Sequence, residues 1–377
     1  MRASARRRRR RAAPIDRQGI AMRLRFVLVP LVLACCGARA DGPPLRMNDI
    51  VAAGTHNSYK RPVPGPAMAR LRATEPALAE ALDYAHRPFA AQLERGARQL
   101  ELDIHVDPDG GHYAAGRTDP GLAVPGFKVL HMPGIDDASH CLRLVDCLRA
   151  IRAWSDAHPR HVPILVMVNA KEARDAVRGG IDGLPFTAAA FDALDAEIRS
   201  VLPPEKLLVP DDVQGAFPTL REAVLAGNWP TLDAVRGRIL FALDEGPRKV
   251  ALYRGGRRSL EGRVLFVNTD EGSPAAAYLT LNDPVAERDR IARAVAAGFI
   301  VRTRADADTR EARADDTTRR DAALASGAQY VSTDYLWPDP RLSTRYRVGL
   351  PGAAAARCNR VRRPQGCGGA DLEDAGR

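Results

Sequence analysis

The sequence predicts an α/β protein whose body is a single (β/α)8 TIM barrel. Three observations carry that expectation. Near-continuous apolar, β-rich runs alternate with Ala/Leu/Arg-rich helical stretches, as parallel strands covered on both faces require. Eight such runs are spread over about 300 residues, the count and length of such a barrel. Polar residues also gather at or just past the C-terminal ends of these runs, and in a barrel those ends converge on one face. A doubly wound open sheet, the alternative, would spread them along an edge.

The candidate strands are Ile50–Gly54, Arg98–His105, Lys128–His131, Pro163–Val168, Arg238–Leu243, Arg263–Val267, Phe299–Arg304 and Gln329–Thr333. Helical patterns lie between them at Pro88–Gly96, Leu142–His158, Thr187–Ser200, Thr219–Ala226, Pro284–Ala297 and Asp315–Ser326. The last is followed by Gly327, a helix stop before the next strand. The strand-end polar residues are His56, Asn57, Asp103, His105, His131, Asn169, Asp244, Asn268, Arg304 and Asp334. The domain reading is a leader over 1–40, a barrel over 41–345 and a disulfide-pinned tail over 346–377.

A net charge of +10 invites thoughts of nucleic acid or anionic membranes. Its distribution argues otherwise. Residues 1–40 hold eleven Arg and one Asp, a net of +10, which leaves residues 41–377 formally neutral. Nucleic-acid binding by the body loses its main support. The leader reads as a secretory signal: a basic start at Met22-Arg-Leu-Arg, an apolar stretch Phe26–Ala34 and a small-x-small site, Ala38-Arg39-Ala40, before Asp41. Met22 is the preferred start, since residues 1–21 add nothing such a signal needs. The apolar stretch is too short to span a bilayer. Val32-Leu33-Ala34-Cys35 departs from a lipoprotein box at Leu33, so simple secretion or a periplasmic location is preferred to lipid anchoring.

Secretion changes the meaning of cysteine. Apart from Cys35 and Cys36, the chain has Cys141, Cys147, Cys358 and Cys367, an even number suited to disulfides in an oxidising compartment. Their short spacings suggest Cys141–Cys147 and Cys358–Cys367. Such small loops remove little unfolded-state entropy, so each bridge pins its loop locally, at about 2 kcal/mol.

The chemistry begins at Gly54-Thr55-His56-Asn57, where a His directly after an apolar strand faces a pocket and Gly54 permits close approach. In Glu101-Leu102-Asp103-Ile104-His105, alternate residues share a strand face. Two carboxylates about 7 Å apart on a strand buried on both faces are costly unless a cation neutralises them. Hard oxygen donors of this kind suit calcium, and less readily magnesium. His131 ends a further apolar run before a Pro/Gly turn, and Asn169, Lys171 and Glu172 end another. A His pair beside a metal fits phosphodiester cleavage, one ring stabilising developing charge and the other protonating the leaving oxygen.

His-Asn, then Glu-x-Asp, then His, then a strand ending in a carboxamide, in that order, resembles the catalytic barrel of the phosphoinositide phospholipases C, most nearly their bacterial secreted, calcium-dependent branch. Leu130–Asp136, Thr219–Val224, Val301–Asp308, Arg320–Gly327 and Val331–Asp334 also look like that branch. The resemblance implies a phosphodiesterase barrel acting on phospholipid at a membrane surface, with Ca2+ as cofactor. It implies His56 and His131 as the catalytic pair, and Asn57, Glu101, Asp103 and Asn169 as metal ligands. The implied reaction is attack of the inositol 2-hydroxyl on phosphorus. Asn169 stands where the family pattern has a Glu; an amide can ligate but carries no charge and cannot act as a base. That change predicts weaker metal binding and moves proton abstraction to Glu101 or Asp103. Lys128, Lys171 and Arg304 are the expected head-group cations, whereas His105 and His112 match no catalytic position. The alternatives are a glycerophosphodiester or other phospholipid phosphodiesterase on the same barrel, and a non-catalytic lipid- or sugar-binding relative.

Overall fold

Strand β1 (Ile50–Thr55) and strand β2 (Ala97–His105) are buried along their whole length, and the rest of the sheet is laid out on either side of them. The computed structural model describes residues 44–172, 180–368 and 372–373; the predicted leader, with Met22, Cys35, Cys36 and the Ala40 cleavage site, lies outside them. The other strands are β3 (Lys128–Val129), β4 (Ile164–Lys171), β5 (Leu207–Leu208), β6 (Ile239–Leu243), β7 (Leu265–Val267), β8 (Tyr278–Thr280), β9 (Ile300–Arg304), β10 (Tyr330–Thr333) and β11 (Arg357–Cys358).

Parallel pairing runs β6–β4–β2–β1–β10–β9–β8, with the short β5 pairing the first residues of β6 and β7 its last three. The curled sheet meets itself where Asn268, just after β7, bridges to Tyr278 of β8. Asn268 Oδ1 accepts from the Thr280 backbone N–H at 3.0 Å across that seam. Strands β1, β2, β4, β6, β7, β8, β9 and β10 thus make the eight-stranded parallel barrel. Both sides of the strands are dry. Leu100, Leu102 and Ile104 of β2, Val166 and Val168 of β4 and Leu240 of β6 belong to one buried apolar cluster, into which helices Leu144–Ala157 and Ala188–Val201 insert Leu148, Ile151, Leu194 and Ile198.

One predicted strand is not a barrel stave. Lys128–Val129 pairs antiparallel with the end of β2, Ile104 opposite Val129, as a short flap on the mouth. The eighth stave is Tyr278–Thr280, a run too short to show a pattern, whose place is set by its neighbours.

Backbone details at the mouth serve the strand ends. A Cβ on Gly54 would come within 2.7 Å of the Gln99 carbonyl oxygen, so glycine is what lets β1 and β2 approach there. Asn57 has φ +47°, a left-handed conformation that Asn tolerates, and it turns the chain sharply after His56. The described part of the tail, up to residue 368, is well packed. Strand β11 pairs antiparallel with the start of β1, Tyr346, Val348 and Leu350 join Val51 and Val331 in a second cluster, and Arg362 and Arg363 each donate to Asp49 at 2.9 Å. Disulfides Cys141–Cys147 and Cys358–Cys367 are both formed. No helix among the described residues is long and apolar enough to cross a membrane.

His161, in the segment entering β4, is buried, with Nδ1 donating to the Val162 carbonyl at 2.7 Å and Nε2 at 2.8 Å from Ser155 Oγ. Burial pushes its pKa down to about 4, so the folded ring is neutral. The unfolded chain therefore binds the proton first. This residue's stabilising share is complete above about 6.5 and is lost as pH falls toward 4. His161→Gln should flatten the dependence of unfolding free energy on pH between about 6 and 5 by about 1.4 kcal/mol per pH unit, measured by denaturant titration at several pH values.

Candidate active site

The C-terminal ends of β1, β2, β4, β9 and β10 supply the site, so its residues are far apart in sequence and adjacent in space. His56 follows β1, and its Nδ1 donates to Asp334 Oδ1, just past β10, at 2.7 Å. Asp334 also accepts from Arg304 Nη2, at the end of β9, at 3.2 Å. With Nδ1 held, the ring presents Nε2 to the mouth, 3.6 Å from Glu101 Oε1 and 3.5 Å from Arg304 Nη1. Burial first, then the charges of Arg304 and Arg302, holds the His56 pKa well below its ordinary value, so the ring is neutral.

His131 is oriented in the same way on the other side. Its Nδ1 donates to Asp136 Oδ2 at 2.7 Å, and that oxygen lies 3.1 Å from Lys60 Nζ. Lys60 is fully buried, anchored by donation to the Leu82 and Tyr84 carbonyls at 3.0 Å each. A buried ammonium therefore fixes the carboxylate that fixes the imidazole.

Between the two rings lie the carboxylates of β2. Glu101 Oε2 accepts from Arg302 Nη2 at 2.7 Å, and the Asn169 amide donates to Glu101 Oε1 at 2.9 Å and to Asp103 Oδ1 at 3.0 Å. Asp103 Oδ2 lies 3.3 Å from Lys171 Nζ. Burial pushes Glu101 up to about 7 against the opposing charge of Arg302. Burial works against ionisation of Asp103 too, but Lys171, His131, His56 and the Asn169 hydrogen bond together hold its pKa below the usual carboxylate range. Two adjacent acids thus have opposite tendencies, a pattern common at catalytic sites.

One buried acceptor in this cluster has no donor at all, Asn57 Oδ1, whose own Nδ2 is used on Tyr84 Oη at 2.9 Å; Asp103 Oδ2 is met only by the Lys171 ammonium at 3.3 Å. A desolvated amide oxygen left without a donor beside two carboxylates is the donor chemistry of a hard cation. Asn57, Glu101 and Asp103 fit Ca2+ on that ground. Asn169 fits only after a half-turn of its amide, because its nitrogen, not its oxygen, faces the acids. No grouping of three or more His, Cys, Asp or Glu side chains suited to a metal occurs among the described residues.

The adjoining cleft, of about 290 Å3, is lined by His105, His131, Asn169, Lys171, Glu172, Asp244, Glu245 and Lys249. Lys171 and Arg304 reach the site. Lys128 does not: it is fully buried, paired with Asp107 at 2.9 Å and donating to the Gly126 carbonyl at 3.0 Å, so it stabilises the flap and is no head-group cation. His105 is also structural, with Nε2 on the Leu130 carbonyl at 3.0 Å. Glu172, the nearest Glu to Asn169, is held in an ion pair with Arg248 and accepts from the Phe186 N–H at 2.9 Å. Sequence reasoning missed Arg302, Asp136, Lys60 and Tyr84. Only Arg302 left a usable trace, lying two residues before Arg304 on the same strand face.

A family model described as phosphoinositide phospholipase C, Ca2+-dependent, matches residues 45–360. The chain is similar in fold to a calcium-dependent phosphoinositol-specific phospholipase C from a Pseudomonas species, solved with myoinositol, with TM-score 0.53 and 17% identity over 84% of this chain and 96% of that one. An apo crystal form of the Pseudomonas protein gives 0.54 and 17%, covering 83% and 95%. A Ca2+-dependent phosphatidylinositol-specific phospholipase C from Streptomyces antibioticus is 21% identical, covers 77% and 95%, and has TM-score 0.49. No curated protein sequence matches.

Asn169 gives a test of this arrangement. Asn169→Glu removes two donated hydrogen bonds and sets a third carboxylate against Glu101 and Asp103. Thermal melting should show the variant less stable than the parent in chelator by about 2 kcal/mol or more, with added calcium recovering most of the loss.

Proposed function

The chain belongs to the calcium-dependent phosphoinositide phospholipase C family, and on that premise we propose that it cleaves phosphatidylinositol by a paired-histidine mechanism at His56 and His131. The observation that carries the reading is the pair of carboxylate-held rings, His56 on Asp334 and His131 on Asp136, set around Glu101 and Asp103. Asn57, Glu101 and Asp103 would hold Ca2+, with Asn169 joining after its amide turns. Bound there, calcium supplies a positive charge that makes the inositol 2-hydroxyl more acidic.

The protein's own groups handle the proton and the charge. Glu101 Oε1 and His56 Nε2, 3.6 Å apart, act as one accepting pair for the 2-hydroxyl proton, since burial leaves the first only weakly acidic and the second neutral. The freed oxygen attacks phosphorus. Arg304, held by Asp334, faces the negative charge that builds on the phosphoryl oxygens. His131, entering this step as the imidazolium with its Nδ1–H on Asp136, gives its Nε2 proton to the glycerol oxygen as the phosphorus–oxygen bond breaks and is left as the neutral ring. Diacylglycerol and a cyclic inositol phosphate result. Lys171, half-exposed at the rim, offers a contact to the inositol ring.

We further read the protein as secreted or periplasmic. Two disulfides support an oxidising compartment. The half-buried Trp337 after β10, with Arg87 stacked 4.6 Å from its ring centroid, suits contact with a lipid interface.

Phosphorus NMR of phosphatidylinositol vesicles incubated with the protein should show a cyclic phosphate. His56→Ala and His131→Ala should each lower the rate by about 10²-fold to 10⁴-fold. Asp136→Asn, which leaves His131 in place but loosens its orientation, should lower kcat with little change in KM. A parent protein that binds these vesicles without releasing any phosphate would favour the non-catalytic reading instead.

A further inference from the structure

Away from the barrel mouth, a separate cleft of about 400 Å3 lies on the flank over β1, where the segment 347–357 rather than a long helix covers the strand. Its walls come from three places in the chain. Arg95 and Gly96 lead into β2, Arg320 and Asp321 lie on helix Thr318–Ala325, and Arg347 and Arg357 flank an apolar stretch that includes Val348 and Leu350. None of its lining residues also lines the cleft beside His131.

The charge of this cavity is unusual for this chain. Four arginines line it against one acid, Asp321, which is already paired with Arg320 at 3.0 Å. Several other surface arginines are matched by carboxylates: Arg290 by Glu271, Arg341 by Asp83 and Asp339, Arg143 by Asp146. Residues 41–377 carry no net formal charge, so composition alone does not produce a local excess of three positive charges. Arg357 is half-buried and donates to the Leu324 carbonyl, a neutral partner, and burial pushes its pKa down. A guanidinium desolvated without a counter-charge is stabilised by an anion that approaches it.

We propose that this flank cleft, lined by Arg95, Arg320, Arg347 and Arg357 over an apolar floor, is a second binding site that takes a multiply charged phosphate ester. Guanidinium groups match phosphate oxygens bidentately, and an excess of three charges calls for more than a monocarboxylate. The volume is in the range that holds a small organic ligand. The floor of Ala53, Leu336, Val348 and Leu350 gives the carbon skeleton of such an ester an apolar surface to rest on. The same chemistry can come from a soluble sugar or inositol phosphate or from the head group of an anionic lipid. The site goes beyond the catalytic reading and does not depend on it.

The test uses the full chain, an Arg95→Gln/Arg347→Gln double variant and, as control, Arg304→Gln at the catalytic mouth. Both flank arginines lie at the accessible edge, half-buried and exposed respectively, so the double variant should fold normally. Binding of inorganic pyrophosphate and of myo-inositol 1-phosphate is measured by calorimetry. Binding of phosphatidylcholine vesicles doped with phosphatidic acid is measured by sedimentation. The proposal expects at least one probe to bind, with about a tenfold or greater loss in the double variant, further weakening with salt, and little change in Arg304→Gln. Binding of a soluble probe alone assigns the ligand to a free phosphate ester, and binding of vesicles alone assigns it to a lipid head group. Millimolar probe with no binding, equal binding by parent and double variant, or loss in Arg304→Gln only would each overturn it.

Discussion

The structure turns on two carboxylates, Glu101 and Asp103, held on one face of a strand that is buried from end to end. Left alone, a desolvated charge of this kind costs several kcal/mol, a large share of a domain's net stability of about 5–15 kcal/mol. The groups that touch the two acids answer that cost. Arg302 meets Glu101, Lys171 meets Asp103, and the Asn169 amide bridges both. The two histidines are then kept in place by a separate set of ion pairs, Arg304–Asp334 and Lys60–Asp136, so their ring orientation does not depend on the acids. The pocket is dense in charge yet locally balanced. A divalent cation added there would change that balance.

The barrel is what makes this balance affordable in sequence terms. Residues 56, 101, 169, 302 and 334 never approach one another along the chain, but parallel strands deliver their last residues to one rim. Two local features refine the delivery. Gly54 allows β1 to press against β2 at Gln99, and after the left-handed turn at Asn57 Tyr84 Oη meets both Asn57 Nδ2, at 2.9 Å, and His56 Nδ1, at 3.2 Å, while Asp334 holds the same His56 nitrogen.

Much of this was legible in the sequence, and the limits of legibility are physical. Seven of the eight predicted runs, among them Ile50–Gly54 and Phe299–Arg304, become barrel strands because long apolar segments between turn signals have few other uses. Lys128–His131 looked like a strand and is one only in part. It forms the flap itself, with Val129 and Leu130 buried in two different apolar clusters, and periodicity cannot tell a flap from a stave. Tyr278–Thr280 was invisible because three residues carry no period. At the mouth, His56, Glu101, Asp103 and His131, singled out by strand-end position, alternation and the family resemblance, do come together in space. Lys60, Tyr84 and Asp136 were not singled out, since each lies in a loop whose path is set by tertiary packing alone. Lys128 was misjudged for a similar reason: a lysine near a mouth reads as a ligand contact until Asp107 is seen against it.

The account rests on Asn57, Glu101 and Asp103 forming a cation site despite the neutral residue at position 169. Calorimetric titration of the chelator-treated protein with calcium tests this most directly. One calcium should bind per chain, and Asp103→Asn should abolish binding while leaving the fold intact by circular dichroism. Undiminished calcium binding in Asp103→Asn, or no binding in the parent, would contradict the account.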